Sequence, residues 1–396
     1  MSSVQDRKDK TRLFQALESE AKASWAKTGK INGVLDNAEA VLAPYFEDRN
    51  ILRKVLGAGA LTYEGSFLQR KASEPWVAEC VRTLVSEFRA TRAADPPGCF
   101  DTWAHWMGSA DRAIANVAAT AQLQNDKAGL EPNLFVKSCL RDMADILEGS
   151  LQPFARLRLR MIEIRRARSK AHKSIEELSF GEVVEELVGM GICGAVYKPL
   201  PFSVSLSQWR NIANHNGYET NGKKVTCTYG PAGKQKTFEC TPDDILRIAV
   251  YSNDLCFAHK VAWEIFGIDN FSHLQSKAPE IPITQFTKDS ALAFGLFSGG
   301  FSVREAILEN GVWKLTLFDE RGRSEARAKS ALQEATVSYA LMCEGCHVEV
   351  SVRSFNVDYR FGFKTSYLNR GQDMPKDFRG SVRKFGEDFR LGPNLP

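Results

Sequence analysis

Apolar residues recur at helical spacing through the first two thirds of the chain. After Pro75, Trp76, Cys80, Leu84 and Phe88 follow one another at steps of four, which predicts an amphipathic helix that ends at the DPPG run over 95–98. A further helix is predicted over 102–123, and the polar stretch QNDKAGLEPN follows it. These patterns indicate a helical N-terminal domain over residues 1–128.

A second group of helical patterns extends from residue 129 to residue 268. One helix is predicted over 133–147, with Gly149 as its stop, and a second is predicted to start near Pro153. Ser179 and Glu182 form a capping box for a third, and the TPDD run at 241–244 starts a fourth that should reach about residue 266. Between the last two, residues 223–240 predict two short strands around a GPAG turn.

The periodicity changes from helical to alternating beyond a linker at 278–286. Two alternating segments meet at Asn310-Gly311, the strongest short-range signal for a hairpin. A helix over 324–342, two more strands and a polar, basic tail from Pro375 complete this part of the chain. The predicted fold class is therefore mainly α, with a small α+β C-terminal domain over residues 282–396.

Composition narrows the class of protein. Apolar residues make up 43% and charged residues 25% of the chain, which is typical of a folded globular protein. The formal net charge of +4 is too small for a nucleic-acid coat, so any contact with a polyanion must come from a local cluster. Nine cysteines without framework spacing favour reduced thiols. The charged N-terminus and the lack of a long apolar run predict a cytoplasmic protein with no membrane segment.

The segment SLSQWRNIANHNGYE, residues 205–219, carries the most informative polar pattern. Ser205 and Gln208 form a capping-box pair, so a helix should begin at Leu206. Its apolar arc holds Leu206, Trp209, Ile212 and Ala213, and its opposite arc holds Arg210, Asn211, Asn214 and His215. That polar arc can be a solvated face. However, asparagine and histidine each reduce helix propensity by ~0.5 kcal/mol, which indicates some other demand on these positions.

The side chains of this arc suit phosphate chemistry. Arginine offers a fork of donors that matches phosphate oxygens, and histidine gains or loses a proton near neutral pH. Arg210, Asn211 and His215 are therefore the candidate catalytic residues.

The RNIANH motif, on a helix late in a predicted bundle, resembles the arginine, polar residue and histidine signature of the HEPN superfamily of helical ribonucleases. The resemblance covers residues 130–267 and includes the preceding EELSFGEVVEELVG helix, the strand pair and the TPDDIL helix. A looser pair, Arg166 and His172, fits less well because Ala167 follows the arginine.

The resemblance implies an HEPN-like helical bundle and metal-independent RNA cleavage, in which the ribose 2′-hydroxyl attacks the adjacent phosphate and leaves a 2′,3′-cyclic phosphate. His215 would transfer the proton, Arg210 would hold the phosphate, and Asn211 would steady the motif. It also implies a homodimer whose two motifs face one cleft, and a role in antiviral defence or a toxin and antitoxin pair, with an antitoxin or a phage-derived trigger as partner. A non-catalytic HEPN scaffold that binds RNA or a protein is the alternative.

A basic run over 155–173 is the candidate RNA-backbone patch. The expected RNA-binding residues are Asn214, Arg158, Arg165, Arg166 and Arg168. The run could equally be a solvated helix face, or could pair with the acidic EELSFGEVVEEL helix.

The CEGCH stretch at 343–347 is the one segment with metal-ligand character. Cys343, Cys346 and His347 match a haem-attachment motif literally, but the predicted compartment does not suit covalent haem. A zinc half-site, and with it a metal-binding regulator, is the other alternative, although no second pair of ligands completes it. The simplest interpretation is a helix end followed by a strand, so we expect no metal and no cofactor. His105 and His259 are expected to be packed or surface histidines.

Overall fold

The structure is a computed structural model that describes residues 31–57, 61–123, 130–166, 174–190, 196–277, 301–309, 312–319, 347–353 and 358–364. The chain forms two compact units. The helical unit consists of residues 42–51 and 68–282, and the second unit consists of residues 1–41, 52–67 and 283–396. No helix in the described part of the chain is both long enough and apolar enough to cross a bilayer.

Helices account for most of the described residues, so the predicted mainly α class is confirmed. Their bounds are Ile31–Leu42 (α1), Arg49–Gly57 (α2), Thr62–Arg70 (α3), Pro75–Ala94 (α4), Pro96–Leu123 (α5), Pro132–Asp145 (α6), Gln152–Arg166 (α7), Phe180–Gly189 (α8), Leu206–Asn214 (α9), Pro242–Asp269 (α10) and Phe271–Lys277 (α11). Short 3-10 turns cover Ala43–Tyr45, Lys71–Ser73 and Ile175–Glu177.

Helix α10 is the centre of the helical unit. It is buried around most of its circumference from Leu255 to Gly267, as expected for a helix surrounded by others. Helices α4 and α6 pack along it, and α7 packs on both α4 and α5. Trp103 of α5 stacks on Trp263 of α10 with ring centroids 4.8 Å apart. Helices from both sides of the predicted boundary at 128/129 therefore share one core.

The predicted stop at Gly149 is wrong, because one turn of π-helix, Ile146–Leu151, joins α6 to α7 with right-handed helical backbone at both of its ends. Pro153 has no N–H and cannot donate to the carbonyl of Gly149 four residues earlier. Asn116 supplies the missing donor through its Nδ2 atom, at 3.2 Å from that carbonyl. The wider turn accommodates the proline without ending the helix.

The helical unit also contains a three-stranded antiparallel sheet. Its strands are Tyr218–Thr220 (β1), Val225–Tyr229 (β2) and Lys236–Cys240 (β3), in the order β1-β2-β3. The predicted pair β2 and β3 is confirmed, and β1 is an additional strand. The sequence pattern did not predict β1, because three residues are too few to show an alternation of apolar and polar positions.

The second unit contains a four-stranded sheet. Its strands are Phe301–Glu309 (β4), Val312–Asp319 (β5), His347–Arg353 (β6) and Asp358–Lys364 (β7). The pairs β4-β5 and β6-β7 are antiparallel and β5-β6 is parallel. The register Glu309↔Val312 confirms the predicted hairpin around residues 310–311. The predicted helix over 324–342, the linker at 278–286 and the tail from Pro375 lie outside the described residues.

Candidate functional site

Helix α9 begins where its N-terminal sequence predicts. The hydroxyl of Ser205 accepts a hydrogen bond from the backbone N–H of Gln208 at 3.4 Å, which satisfies one free donor of the first turn. The Gln208 side chain, however, does not return a hydrogen bond to Ser205, and its Oε1 is buried without a partner. The predicted capping box is therefore only half formed. The N–H of Leu206 donates to the carbonyl of Tyr197 at 2.9 Å and ties the helix start to the preceding loop.

The apolar arc of α9 faces the core as predicted. Leu206, Trp209 and Ile212 are fully buried. The Trp209 ring packs against Phe202, at a centroid distance of 5.9 Å, and against Phe238 of β3, at 5.3 Å. Because this arc is fixed by packing, the opposite arc with Arg210 and His215 must face away from the core.

The C-terminal end of α9 is a Schellman ending pinned to the small sheet. Asn216 adopts a left-handed conformation with φ of 51°, and the N–H of Gly217 donates to the carbonyl of Ile212 at 2.9 Å. The Gly217 carbonyl in turn accepts the N–H of Thr228 of β2 at 2.7 Å. A Cβ atom on residue 217 would lie 2.6 Å from the Thr228 carbonyl oxygen, so only glycine fits there. His215 is thereby held at the C-cap, between a packed helix and a strand.

Arg210 is half-buried, and its guanidinium contacts two other side chains. Its Nε and Nη2 atoms contact Oε1 of Glu148, on the π-helical turn, and its Nη1 donates to Oδ1 of Asn211 at 3.0 Å. The side chains of the adjacent residues Arg210 and Asn211 are therefore hydrogen-bonded to each other. Glu148 was missed because it is 62 residues away in sequence and nothing in its local pattern points to α9.

Glu148 belongs to an acidic group on α6 and the π-helical turn. Burial raises the pKa of Asp145, and the nearby charges of Asp142 and Glu148 raise it further, while Arg141 opposes them. A phosphate that approaches Arg210 must compete with the Glu148 carboxylate for the guanidinium.

His215 and Asn214 are exposed at the end of the helix. Within the part of the chain that the structure describes, the His215 imidazole has no hydrogen-bond or ion-pair partner. The structure thus places an exposed imidazole at the C-cap of the helix that carries Arg210.

The basic run predicted to bind RNA is only partly available at the surface. Arg158 is 1% exposed and donates from Nε and Nη2 to the two carboxylate oxygens of Glu87, both at 2.8 Å. Its predicted RNA contact is wrong, because a buried arginine paired in this way cannot reach a phosphate backbone. Arg165 and Arg166 are half-buried at the end of α7, and Arg168 lies outside the described residues, as does His172. Arg156 donates to the carbonyl of Leu178 and not to an acidic side chain.

The buried Arg158 belongs to a chain of hydrogen bonds in the core. Its Nη1 lies 3.4 Å from the hydroxyl of Tyr197, which lies 3.3 Å from Nε2 of His259. Nδ1 of His259 donates to the carbonyl of Leu255 at 2.9 Å. Burial and the Arg158 charge lower the pKa of His259 to about 3, so this histidine is neutral and structural. It is a packed histidine, one of the two possibilities expected from the sequence.

The described residues show no cluster that could hold a metal ion. Cys343 and Cys346 lie outside them, and His347 begins β6. His105, the second histidine expected to be packed or at the surface, is exposed, and its Nε2 atom lies 3.4 Å from a carboxylate oxygen of Glu176.

The cysteines that the structure describes are free thiols, as the reduced state predicts. Cys227 and Cys240 approach most closely, with their sulfurs 4.0 Å apart on β2 and β3.

Comparison with known proteins identifies no relative. No protein-family model matches the chain, and no curated protein and no solved structure is significantly similar to it.

Proposed function

We propose that the chain is an HEPN-type endoribonuclease that cleaves RNA without a metal ion. The observation that carries this proposal is the pinned end of α9, which presents an exposed imidazole at His215 on the same short helix as the positioned guanidinium of Arg210. Cleavage of RNA by its own 2′-hydroxyl needs a proton carrier and a cation for the charge that develops on the phosphate. These two side chains supply both.

The proposed reaction removes a proton from the attacking 2′-oxygen and delivers one to the leaving 5′-oxygen. His215 takes the proton of the 2′-hydroxyl as its oxygen attacks phosphorus, and the bond from phosphorus to the 5′-oxygen breaks. Arg210 stabilises the phosphate oxygens, with Asn211 fixing its guanidinium. The leaving 5′-oxygen needs a proton from a second acid, and the partner subunit's His215 supplies it in a two-fold dimer. The products are a 2′,3′-cyclic phosphate and a 5′-hydroxyl.

The cellular setting follows from the same proposal. A nuclease of this kind acts in the cytoplasm, where its RNA substrates are. Unrestrained cleavage would be toxic, so a toxin or antiviral effector held by an antitoxin, or released by a phage-derived trigger, is the biological role that we propose. The exposed Asn214 and the half-buried Arg165 and Arg166 are the candidate additional RNA contacts.

The test is a cleavage assay on total RNA in the presence of EDTA. The purified chain should release fragments with cyclic phosphate ends, and His215→Ala should lower the rate by at least about 100-fold, the usual contribution of a general acid or base. His105→Ala is the matched control, because that histidine is also exposed but belongs to α5. Undiminished cleavage by pure His215→Ala protein would contradict the assignment.

One observation favours a second candidate, a non-catalytic scaffold that binds RNA or a protein. Glu148 contacts two of the guanidinium nitrogens of Arg210 and neutralises its charge. If this pair is permanent, Arg210 is structural. Saturable RNA binding by the wild-type chain without any cleavage product would support the scaffold and exclude the nuclease.

A further inference from the structure

A groove of about 770 Å³ opens on the helical unit, built by three segments. The start of α4 contributes Glu74 and Trp76, the loop over 196–203 forms one wall, and α10 contributes the stretch from Arg247 to Asp254. Its size is in the usual range for a small-ligand site, about 300–1,000 Å³. None of the residues proposed for RNA cleavage lines it.

One wall of the groove is a pair of stacked aromatic rings. The Trp76 and Tyr251 centroids lie 4.3 Å apart with an interplanar angle of 27°. Trp76 Nε1 donates to Glu74 at 3.2 Å, and the Tyr251 hydroxyl donates to the carbonyl of Val196 at 2.8 Å. Because each ring covers one face of the other and their polar atoms already have partners in the protein, a ligand can contact only the remaining apolar surface of the pair. Such a wall favours a planar aromatic group.

Two carboxylates of the lining share one ammonium group. The ammonium group of Lys71 lies 2.6 Å from Oδ2 of Asp254 and 2.8 Å from Oε1 of Glu74. These carboxylates can still accept hydrogen bonds from an amino or hydroxyl group of a ligand. Because one cation faces two carboxylates, this part of the groove remains negative, and an anionic group of a ligand must lie away from it.

The rim carries cations. Lys198 is exposed and has no ion-pair partner in the described parts of the chain. Arg247 is 64% exposed and has only a surface contact with Asp244, at 3.1 Å, which is a weak competitor. Lys198 comes from the loop over 196–203 and Arg247 from α10, and both line the groove, so it offers two cations to an anionic group of a ligand.

The loop wall is held in an unusual shape. Ser203 has a φ of 53°, a left-handed conformation that is strained for a non-glycine residue, and Leu200 is 77% exposed. Backbone strain of this kind concentrates at ligand sites. The next residues lead directly into α9, whose first N–H is bonded to Tyr197 in this loop.

We propose that this groove binds a nucleoside phosphate, with the base against Trp76 and Tyr251, the base or sugar polar groups towards Glu74 and Asp254, and the phosphate between Lys198 and Arg247. The ligand can be a free nucleotide or the terminal nucleotide of an RNA. The proposal does not depend on RNA cleavage by the α9 site.

The experiment is calorimetric titration of the full chain with AMP, GMP, CMP and UMP, and separately with the matching nucleosides and inorganic phosphate. We expect saturable binding of at least one mononucleotide, and binding at least about tenfold weaker for its nucleoside or for phosphate alone. Competition by a 5′-phosphorylated tetranucleotide, compared with the free nucleotide, identifies which source is preferred.

Charge reversal at the rim gives the decisive comparison. The double variant Lys198→Glu with Arg247→Glu should weaken nucleotide binding at least about tenfold, because it replaces two attractions by two repulsions. The double variant Lys223→Glu with Lys234→Glu changes the net charge equally on exposed turns of the small sheet and should bind like wild type. His215→Ala should also bind like wild type, so a loss of cleavage and a loss of groove binding are separable.

Three results would overturn the proposal. One is the absence of saturable binding by all four mononucleotides. Another is equal affinity of the rim variant and its control. The third is preferential binding of an acyl carboxylate such as decanoate, which would show that the groove selects apolar chains over planar bases.

Discussion

Glu148→Gln is expected to tighten RNA binding at the α9 site. In the wild-type chain an RNA phosphate must compete with the Glu148 carboxylate for Arg210. Glutamine keeps the size of the side chain and removes its charge, so the guanidinium is released at lower cost.

The magnitude follows from the exposure of the pair. The side chains of Arg210 and Glu148 are 28% and 39% exposed. Ion pairs at this level of solvent contact contribute up to about 1 kcal/mol. Since 1.4 kcal/mol corresponds to a tenfold change in an equilibrium constant, the dissociation constant should fall by up to about fivefold.

Fluorescence anisotropy with a labelled oligonucleotide that carries a 2′-deoxy linkage measures binding without cleavage. Glu185→Gln on α8 is the matched control, because it removes the same charge from an exposed residue that is not bonded to Arg210. In a double-mutant cycle, Glu148→Gln should have little effect once Arg210 is alanine. Unchanged or weaker binding by Glu148→Gln relative to Glu185→Gln would refute the competition. No binding by either protein would instead count against the proposed function itself.

Three further outcomes concern stability and are measured by urea unfolding. Arg158→Met should cost about 3–5 kcal/mol by leaving the carboxylate of Glu87 buried and unpaired, and adding Glu87→Leu should recover much of the loss; no recovery would contradict this account. Because the pKa of His259 is lowered in the folded chain, this histidine takes up a proton in the unfolded chain first as the pH falls below about 6.5. Its contribution to the free energy of unfolding is therefore present at pH 8 and should be about 2 kcal/mol smaller at pH 5. His259→Gln should remove that part of the pH dependence. Gly217→Ala should destabilise by about 1–3 kcal/mol because its Cβ meets the Thr228 carbonyl, and a wild-type midpoint would show that β2 can move away.

Local signals in the sequence determined the elements of the site. The cap at Ser205, the apolar arc through Trp209 and Ile212, and the stop after Asn214 all depend on residues within a few positions of one another. For the same reason the helix from Thr241 and the pair of β2 and β3 were predicted correctly. In each of these features, backbone hydrogen bonds are satisfied by residues that are close in sequence. The types of those residues are therefore enough to predict it.

Only the tertiary structure decided which polar side chains are free. Arg158 and Arg160 are similar in sequence, yet the first is buried against Glu87 and the second is exposed, because burial depends on which helices surround α7. Glu148 lies on the π-helical turn that joins α6 to α7, and it meets Arg210 because α9 packs on α6. Packing between segments that are distant in sequence determines these two ion pairs. The residue pattern along one helix does not show which charged side chain of another segment will lie next to it.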